Sequence, residues 1–331
     1  MSTTAPACAA ISWELAESPA ATASTARTWL LLEQPGPWGA KAFTSSHLDP
    51  AVGRALEQAT KGTGIRAALI RRPGRHADSH DTARPRRVFL AHTVPGAGWL
   101  RTATVDDPAH LLDLDFSRIG DGHHDGFGTD HTGDPLALVC TNGRRDRCCA
   151  LLGRPLAAEL AEAGHGDVWE TTHLGGHRFA PTMLVLPHGY AYARQDTASA
   201  KSILLAAADG RVITHDCRGR SAWPPAGQAA ELAVRALTAE DHADALTVLS
   251  DDAVLQGAGT VLSEGLAVQG ARTVRVAHQD GRRWTVTVAP QSPGAAPARP
   301  QSCGATPVEP STPHVLSVTE DGVDGGGPQG R

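Results

Sequence analysis

Short apolar runs alternate along the chain with segments whose apolar residues recur at helical spacing. Apolar and β-branched runs predict buried strands at residues 28–33, 66–71, 87–92, 136–140, 168–172 and 182–186. Helical spacing predicts helices at residues 50–59, 149–164, 199–208, 228–237 and 240–249. Alternating patterns predict half-exposed strands at residues 273–276 and 283–288. Interleaved strands and helices of this kind indicate an α/β fold.

Composition divides the chain into domains. A polar, glycine-rich linker at 118–130 separates an N-terminal α/β domain at 10–117 from a second α/β domain at 131–222. A small α+β segment is predicted at 223–320, and the glycine-rich tail at 321–331 is expected to be disordered. The stretch before about residue 26 is rich in Ala, Ser and Thr, so we expect it to be partly frayed.

The charge and hydrophobicity of the chain indicate which kinds of binding partner to expect. The 331 residues include 30 Lys and Arg against 35 Asp and Glu, a net charge of −5, whereas a dedicated nucleic-acid binder normally carries a basic surface. No apolar run approaches the ~18 residues that a membrane helix needs. The first residues lack the basic start and apolar core of a signal peptide. We therefore expect a cytoplasmic protein without nucleic-acid or membrane partners.

The six cysteines are unevenly distributed. Three of them, Cys140, Cys148 and Cys149, fall within ten residues. Clustered thiols in a chain without a secretory signal suggest metal binding or redox chemistry. The other three, Cys8, Cys217 and Cys303, lie apart from this motif in the sequence and are expected to be buried, inert thiols.

Two histidines follow the cysteine motif. Eight residues separate Cys140 from Cys149, and 23 more precede the sequence His173-Leu-Gly-Gly-His177. The two glycines disfavour a regular helix and permit a tight loop that approaches a bound group closely. Two thiolates and two imidazoles suit either zinc or a [2Fe–2S] cluster with both histidines on one iron. The cysteine spacing is wider than that of a zinc-finger knuckle, and from the ligand types alone zinc, a cluster and no metal all stay open.

The wider motif resembles the sucrase/ferredoxin-like family. The resemblance is carried by Cys140-Thr-Asn-Gly-Arg-Arg-Asp-Arg-Cys-Cys149-Ala, His173-Leu-Gly-Gly-His-Arg-Phe-Ala180, Leu186-Pro-His-Gly-Tyr190 and Trp29-Leu-Leu-Leu-Glu-Gln-Pro-Gly-Pro-Trp38. It covers most of residues 10–225. The resemblance implies a thioredoxin-like ferredoxin domain at 131–222, with a [2Fe–2S] cluster held by Cys140, Cys149, His173 and His177.

This chain departs from the family pattern at two positions. Many members have a histidine where this chain has Asn142, so no ligand is assigned there. The adjacent Cys148 is an alternative to Cys149 as the second thiolate, although the family spacing ends at Cys149. Three arginines beside the ligands would favour a reduced, more negative cluster; they are Arg144, Arg145 and Arg147.

The sequence thus predicts a soluble one-electron carrier that acts between unidentified donor and acceptor proteins. One alternative is a thioredoxin-like thiol oxidoreductase that uses Cys148 and Cys149, and another is a protein with a structural zinc site. No motif marks the pair of facing carboxylates that glycoside hydrolysis needs, so we expect a carrier rather than a catalyst, and no sucrose hydrolase.

Overall fold

The computed structural model describes residues 7–74, 84–249, 259–263, 266–292 and 294–321. For residues 259–263 and 266–269 the description covers the backbone only. The tail predicted at 321–331 lies outside the described residues after Asp321. Within the described ranges, no helix has the length and apolar character that a membrane span requires.

Ten strands from the first two thirds of the chain form one mixed sheet. They are β1 Thr28–Glu33, β2 Ile65–Arg71, β3 Arg86–His92, β4 Trp99–Val105, β5 Thr129–Asp130, β6 Leu136–Cys140, β7 Asp167–Thr171, β8 Met183–Leu186, β9 Tyr190–Tyr192 and β10 Cys217–Arg220. Their order across the sheet is β10-β9-β8-β6-β7-β2-β1-β3-β4-β5. The α/β class predicted from the sequence is confirmed.

The two halves of this sheet have the same connectivity. In the first half β1 pairs parallel with β2 and antiparallel with β3, and β3 pairs antiparallel with β4. In the second half β6 pairs parallel with β7 and antiparallel with β8, and β8 pairs antiparallel with β9. The equivalent strands β2 and β7 join the halves by an antiparallel pairing, so the predicted linker at 118–130 connects two halves of a single sheet.

A buried ion pair and a shared hydrophobic core stabilise the junction between β2 and β7. Arg71 lies opposite Glu170 in the β2–β7 register, and its guanidinium donates to the Glu170 carboxylate at 2.7 and 2.9 Å. Thr141 donates to the same carboxylate oxygen at 2.9 Å. Trp29 of the first half and Trp169 of the second belong to one hydrophobic core. The two halves therefore share their interior as well as their sheet.

In the described ranges, six α-helices accompany the strands. They are α1 Cys8–Glu14, α2 Pro50–Thr60, α3 Phe116–Gly120, α4 Arg147–Glu162, α5 Thr197–Ala208 and α6 Pro225–Thr238, with short 3₁₀ segments at Pro108–Asp113 and His177–Phe179. Helix α4 begins after Asp146, whose carboxylate accepts a hydrogen bond from the Cys148 N–H at 2.8 Å. The predicted helices at 50–59, 149–164, 199–208 and 228–237 are confirmed, with ends shifted by up to three residues.

A second, antiparallel sheet follows α6. Its strands are β11 Leu246–Leu249, β12 Gly259–Ser263, β13 Leu266–His278, β14 Arg283–Ala289 and β15 His314–Glu320, in the order β11-β13-β14-β15 with β12 paired to β13. Helix α6 packs Ala230 and Val234 into the same core as Val276 and Trp284. The α+β segment predicted after residue 222 contains these elements.

Several local predictions were wrong. The helix predicted at 240–249 is instead a turn and β11, in which Leu246 and Val248 alternate inward against the second sheet. Residues 8–14 lie in the stretch that we expected to be partly frayed, but they form α1 and bury Cys8. The predicted linker contains the end of α3 and all of β5, because buried Ile119 anchors its start.

Candidate metal centre

The predicted ligands lie at one edge of the second half-sheet. Cys140 is the last residue of β6, and it pairs with Thr171, the last residue of the parallel strand β7. The carboxyl ends of parallel neighbours meet at the same edge, so the loop that follows β7 begins beside Cys140. His173 and His177 lie on this loop, and Cys149 lies in the first turn of α4. The chain therefore brings all four residues together from three adjacent segments.

The loop between the two histidines depends on its glycines. Gly175 has φ +80° and Gly176 has φ +69°, a region that favours glycine. A Cβ atom on Gly175 would lie 2.9 Å from the Ser24 hydroxyl, and one on Gly176 would collide with the Arg218 guanidinium. This confirms the tight loop predicted from the sequence.

Contacts link the four side chains in a closed ring. The Cys149 Sγ lies 3.4 Å from Nδ1 of His177, and the two histidine rings stack with their centroids 4.2 Å apart. Cys140 closes the ring as the neighbour of both Cys149 and His173, each of which lowers the pKa of its thiol. The two thiols are thus neighbours on one side, and the two imidazoles are neighbours on the other.

The site is buried except at one corner. Cys140 and Cys149 are each 1% exposed, and His177 is 8% exposed. His173 is half-buried and lines an open groove with Lys41, Lys61 and other residues. Solvent therefore approaches the four ligands from the His173 side.

Proton affinities at the site favour one thiolate and one neutral imidazole. The hydrogen bond from Cys149 lowers the pKa of the Cys140 thiol, and the same contact raises the pKa of Cys149. Burial lowers the pKa of His177 to about 4, with neighbouring His173 adding to that shift. A thiolate and a neutral imidazole, the forms that bind metals, are consequently both favoured near neutral pH.

Two arginines that sequence reasoning missed lie near the thiols: Arg66, which is half-buried, and Arg218, which is buried. Arg66 donates to the His173 carbonyl oxygen at 2.9 Å, and Arg218 donates to the Gly175 carbonyl oxygen at 3.0 Å. Burial lowers the pKa of both guanidinium groups, that of Arg218 to about 10, and a charge on Cys140 opposes each shift. No local motif marks these residues, because they come from β2 and β10.

The three arginines that the sequence places beside the ligands do not all lie near the four predicted ligands in the structure. Arg144 and Arg145 are exposed, and Arg145 lines the groove at His173. Arg147 is half-buried and its side chain hydrogen-bonds to Cys303. It therefore faces a different group of thiols.

Cys148 and Cys149 point into different clusters. The Cys148 Sγ lies 3.6 Å from the Cys8 Sγ and 3.3 Å from the Cys303 Sγ, whereas Cys149 contacts Cys140 and His177. Cys8 and Cys303 lie apart from the motif in the sequence, but the chain folds back to place them beside Cys148; Cys8 is buried as expected, whereas Cys303 is only half-buried. Cys217 is buried on β10, as expected.

The two groups of side chains differ in width. Among the described residues, Cys8, Asp146, Cys148 and Cys303 form a set whose ligand atoms all lie within 4.8 Å of one another, and so do Asp146, Cys149 and His177. Cys140, Cys149, His173 and His177 do not form such a set, so their ligand atoms are less compact than those of the other two groups. Both groups contain side chains that are able to hold a metal.

Comparison with known proteins gives one match. The family model described as sucrase/ferredoxin-like matches residues 19–219. No curated protein and no solved structure matches the chain. The matched range covers more than half of the 331 residues, and the chain belongs to this family.

Proposed function

We propose that this member of the sucrase/ferredoxin-like family is a one-electron carrier. Its [2Fe–2S] cluster would be held by Cys140, Cys149, His173 and His177. The observation that carries the proposal is the closed ring of two neighbouring thiols and two neighbouring imidazoles.

The donor set fits such a cluster. A [2Fe–2S] group with two histidines on one iron needs its thiols paired and its imidazoles paired, as they are around this ring. The ligand atoms of these four residues do not all lie within 4.8 Å of one another, and this less compact arrangement favours a multi-atom group over a single zinc ion. When bound, the cluster supplies an acceptor and donor for one electron.

The surrounding residues suit this role. Burial of both thiols excludes water, and the guanidinium groups of Arg66 and Arg218 offset negative charge beside Cys140. The Leu174 N–H donates to the Cys140 sulfur. Neutral imidazoles and nearby positive charge favour the reduced state, so we expect a potential in the range of roughly −150 to +300 mV.

The groove at His173 offers an electron route to partner proteins. Lys41, Lys61 and Arg145 line it with exposed positive charge, against a single acidic residue, Glu57. Electrostatic complementarity then favours redox donors and acceptors with acidic contact surfaces. The second half-sheet, a parallel pair followed by an antiparallel hairpin, also supports the thioredoxin-like classification.

Spectroscopy of the full chain purified without oxygen tests the proposal. We expect broad visible absorption that bleaches with dithionite, an S = 1/2 EPR signal of low average g, and about two irons per chain. His173→Ala and His177→Ala should abolish these signals, while Cys217→Ser, a buried thiol away from the ring, should retain them. A colourless chain that takes up no iron during anaerobic reconstitution would reject the carrier.

The pH dependence of the potential gives a second readout. A ring nitrogen that is not bound to iron holds its proton more tightly when the cluster is reduced. Raising the pH through the pKa of the oxidised form should therefore lower the potential, by up to about 59 mV per pH unit for each proton released. A flat potential from pH 6 to 10 would contradict two histidine ligands.

A further inference from the structure

A second group of cysteines lies beside the first turn of α4. The sulfur atoms of Cys8, Cys148 and Cys303 form a triangle with sides of 3.3, 3.5 and 3.6 Å. The Asp146 carboxylate lies 3.8 Å from the Cys8 sulfur. We refer to the three cysteines together with Asp146 as the thiol triangle.

Backbone hydrogen bonds fix the carboxylate of the thiol triangle. Asp146 accepts from the Cys148 N–H through Oδ1 and from the Cys303 N–H through Oδ2, both at 2.8 Å. Each carboxylate oxygen keeps a further lone pair, so a ligand oxygen is held next to three thiols.

The dimensions of the thiol triangle match those of a zinc site. Zinc binds thiolate sulfur at about 2.3 Å with tetrahedral geometry, which separates neighbouring sulfur atoms by about 3.8 Å. The observed separations fall a few tenths of an ångström below this value, and all the ligand atoms lie within 4.8 Å of one another. Soft thiolate ligands in a small tetrahedral space select zinc over harder cations.

We propose that Cys8, Cys148 and Cys303, with Asp146 completing the tetrahedron, bind a structural zinc ion. The site uses none of the four predicted cluster ligands, although its Asp146 also lies within 4.8 Å of the ligand atoms of Cys149 and His177, and it does not depend on the proposed electron-carrier function. Zinc binding would displace three thiol protons and place three thiolates and one carboxylate on the ion.

Positive groups beside the thiol triangle compensate the resulting negative charge. Cys148 is the second residue of α4, where the helix N-terminus favours anionic groups. The Arg147 side chain hydrogen-bonds to Cys303. Two independent sources of positive charge therefore face the ligands.

A zinc ion here would join three remote segments. Cys8 and Cys148 are 140 positions apart, and Cys8 and Cys303 are 295 apart. The ion would fix α1 and the segment around Cys303 to the start of α4. Since α4 also carries Cys149, the ion would help to fix the position of this predicted cluster ligand.

Metal content of the purified full chain tests the proposal. We expect about one zinc per chain after dialysis against weak chelators, and X-ray absorption at the zinc edge should show three sulfur neighbours at about 2.3 Å. Cys8→Ser and Cys303→Ser should lower zinc content at least about fivefold, because each removes a ligand. Both variants should retain iron and its visible absorption.

Controls separate this zinc from zinc that occupies the predicted cluster site. In His173→Ala/His177→Ala the zinc should remain while iron is lost, and Cys217→Ser should keep both metals. Zinc that is lost in the histidine variant but retained in Cys8→Ser would overturn the proposal. A zinc-free chain would also overturn it, whether its thiols react freely or a mass decrease of about 2 Da shows a disulfide within the thiol triangle.

Discussion

Arg66 and Arg218 hold their guanidinium groups against the loop beside Cys140, whereas Arg144 and Arg145 are exposed. Arg218 is buried and Arg66 is half-buried, and a charge that is wholly or partly buried acts through a medium of lower effective dielectric than an exposed one, so its effect on the cluster is larger. The sequence showed only the arginines that are near the cysteines along the chain. The more effective charges come from β2 and β10, which the fold brings to the site.

Replacing Arg66 should therefore change the reduction potential. We expect Arg66→Met to lower it by about 40 mV, on the basis of a lost interaction on the order of 1 kcal/mol for a one-electron couple. Loss of positive charge destabilises the reduced, more negative state. Potentiometric titration monitored by visible absorption measures this shift.

Two variants serve as controls for Arg66. Arg66→Lys keeps the charge and should retain most of the potential, while Arg144→Met removes an exposed charge and should change it much less. Equal shifts in Arg66→Met and Arg144→Met would contradict a special role for the half-buried Arg66 guanidinium.

At the scale of elements, helix α4 organises both groups of thiols. Its first turn directs Cys148 toward Cys8 and Cys303, and directs Cys149 toward Cys140 and His177. Neighbouring residues on a helix point about 100° apart, so adjacent cysteines are able to serve two sites. This geometry argues against a thiol oxidoreductase that uses Cys148 and Cys149 as a pair.

The close approach of α4 to β6 depends on Gly153. A Cβ atom there would collide with the carbonyl oxygen of Cys140. We expect Gly153→Ala to push the helix away from β6 and lower the free energy of unfolding by about 1–2 kcal/mol, after the gain in helix propensity is deducted. Iron content should fall as well, because the same movement separates Cys149 from Cys140.

Urea unfolding and iron analysis measure the effects of Gly153→Ala. The control is Glu162→Ala, a substitution at an exposed position near the end of the same helix, which should change neither quantity appreciably. A Gly153→Ala variant with wild-type stability and iron would show that the contact between α4 and Cys140 tolerates a methyl group.

Patterns among neighbouring residues predicted most of the strands and helices that carry the site. The features that the sequence did not predict depend mainly on contacts between residues far apart in the chain. The strand at 136–140, the helix that carries Cys149 and the glycine loop at 173–177 each follow from a few consecutive residues. The thiol triangle joins residues up to 295 positions apart, and no short-range pattern records such a contact. The strand at 99–105 also escaped detection, since it is only partly buried.

At the scale of the whole molecule, the two half-sheets behave as one structural unit. Their equivalent strands β2 and β7 pair antiparallel, and the Arg71–Glu170 ion pair lies buried in that junction. Breaking a buried pair by removing one partner typically costs about 3–5 kcal/mol. That cost is a large share of the ~5–15 kcal/mol by which a protein is stable.

The segment at 131–222 should therefore not fold alone. Without the first half-sheet it would expose the β7 edge, leave Glu170 without Arg71, and uncover Trp169, which packs edge-to-face on Phe89 at 5.6 Å. We expect this fragment to lack a cooperative thermal transition and to bind no iron, by circular dichroism and metal analysis. A chain of residues 7–321 serves as the control and should retain both.

The fragment also lacks Cys8 and Cys303, so its failure could reflect loss of the thiol triangle instead of the first half-sheet. The full-length double variant Cys8→Ser/Cys303→Ser separates the two causes, because it keeps β1–β4 and the Arg71–Glu170 pair. We expect it to fold and to bind iron where the fragment does not. A fragment that unfolds cooperatively and carries about two irons would show instead that the second half-sheet is an independent domain and that the shared core is dispensable.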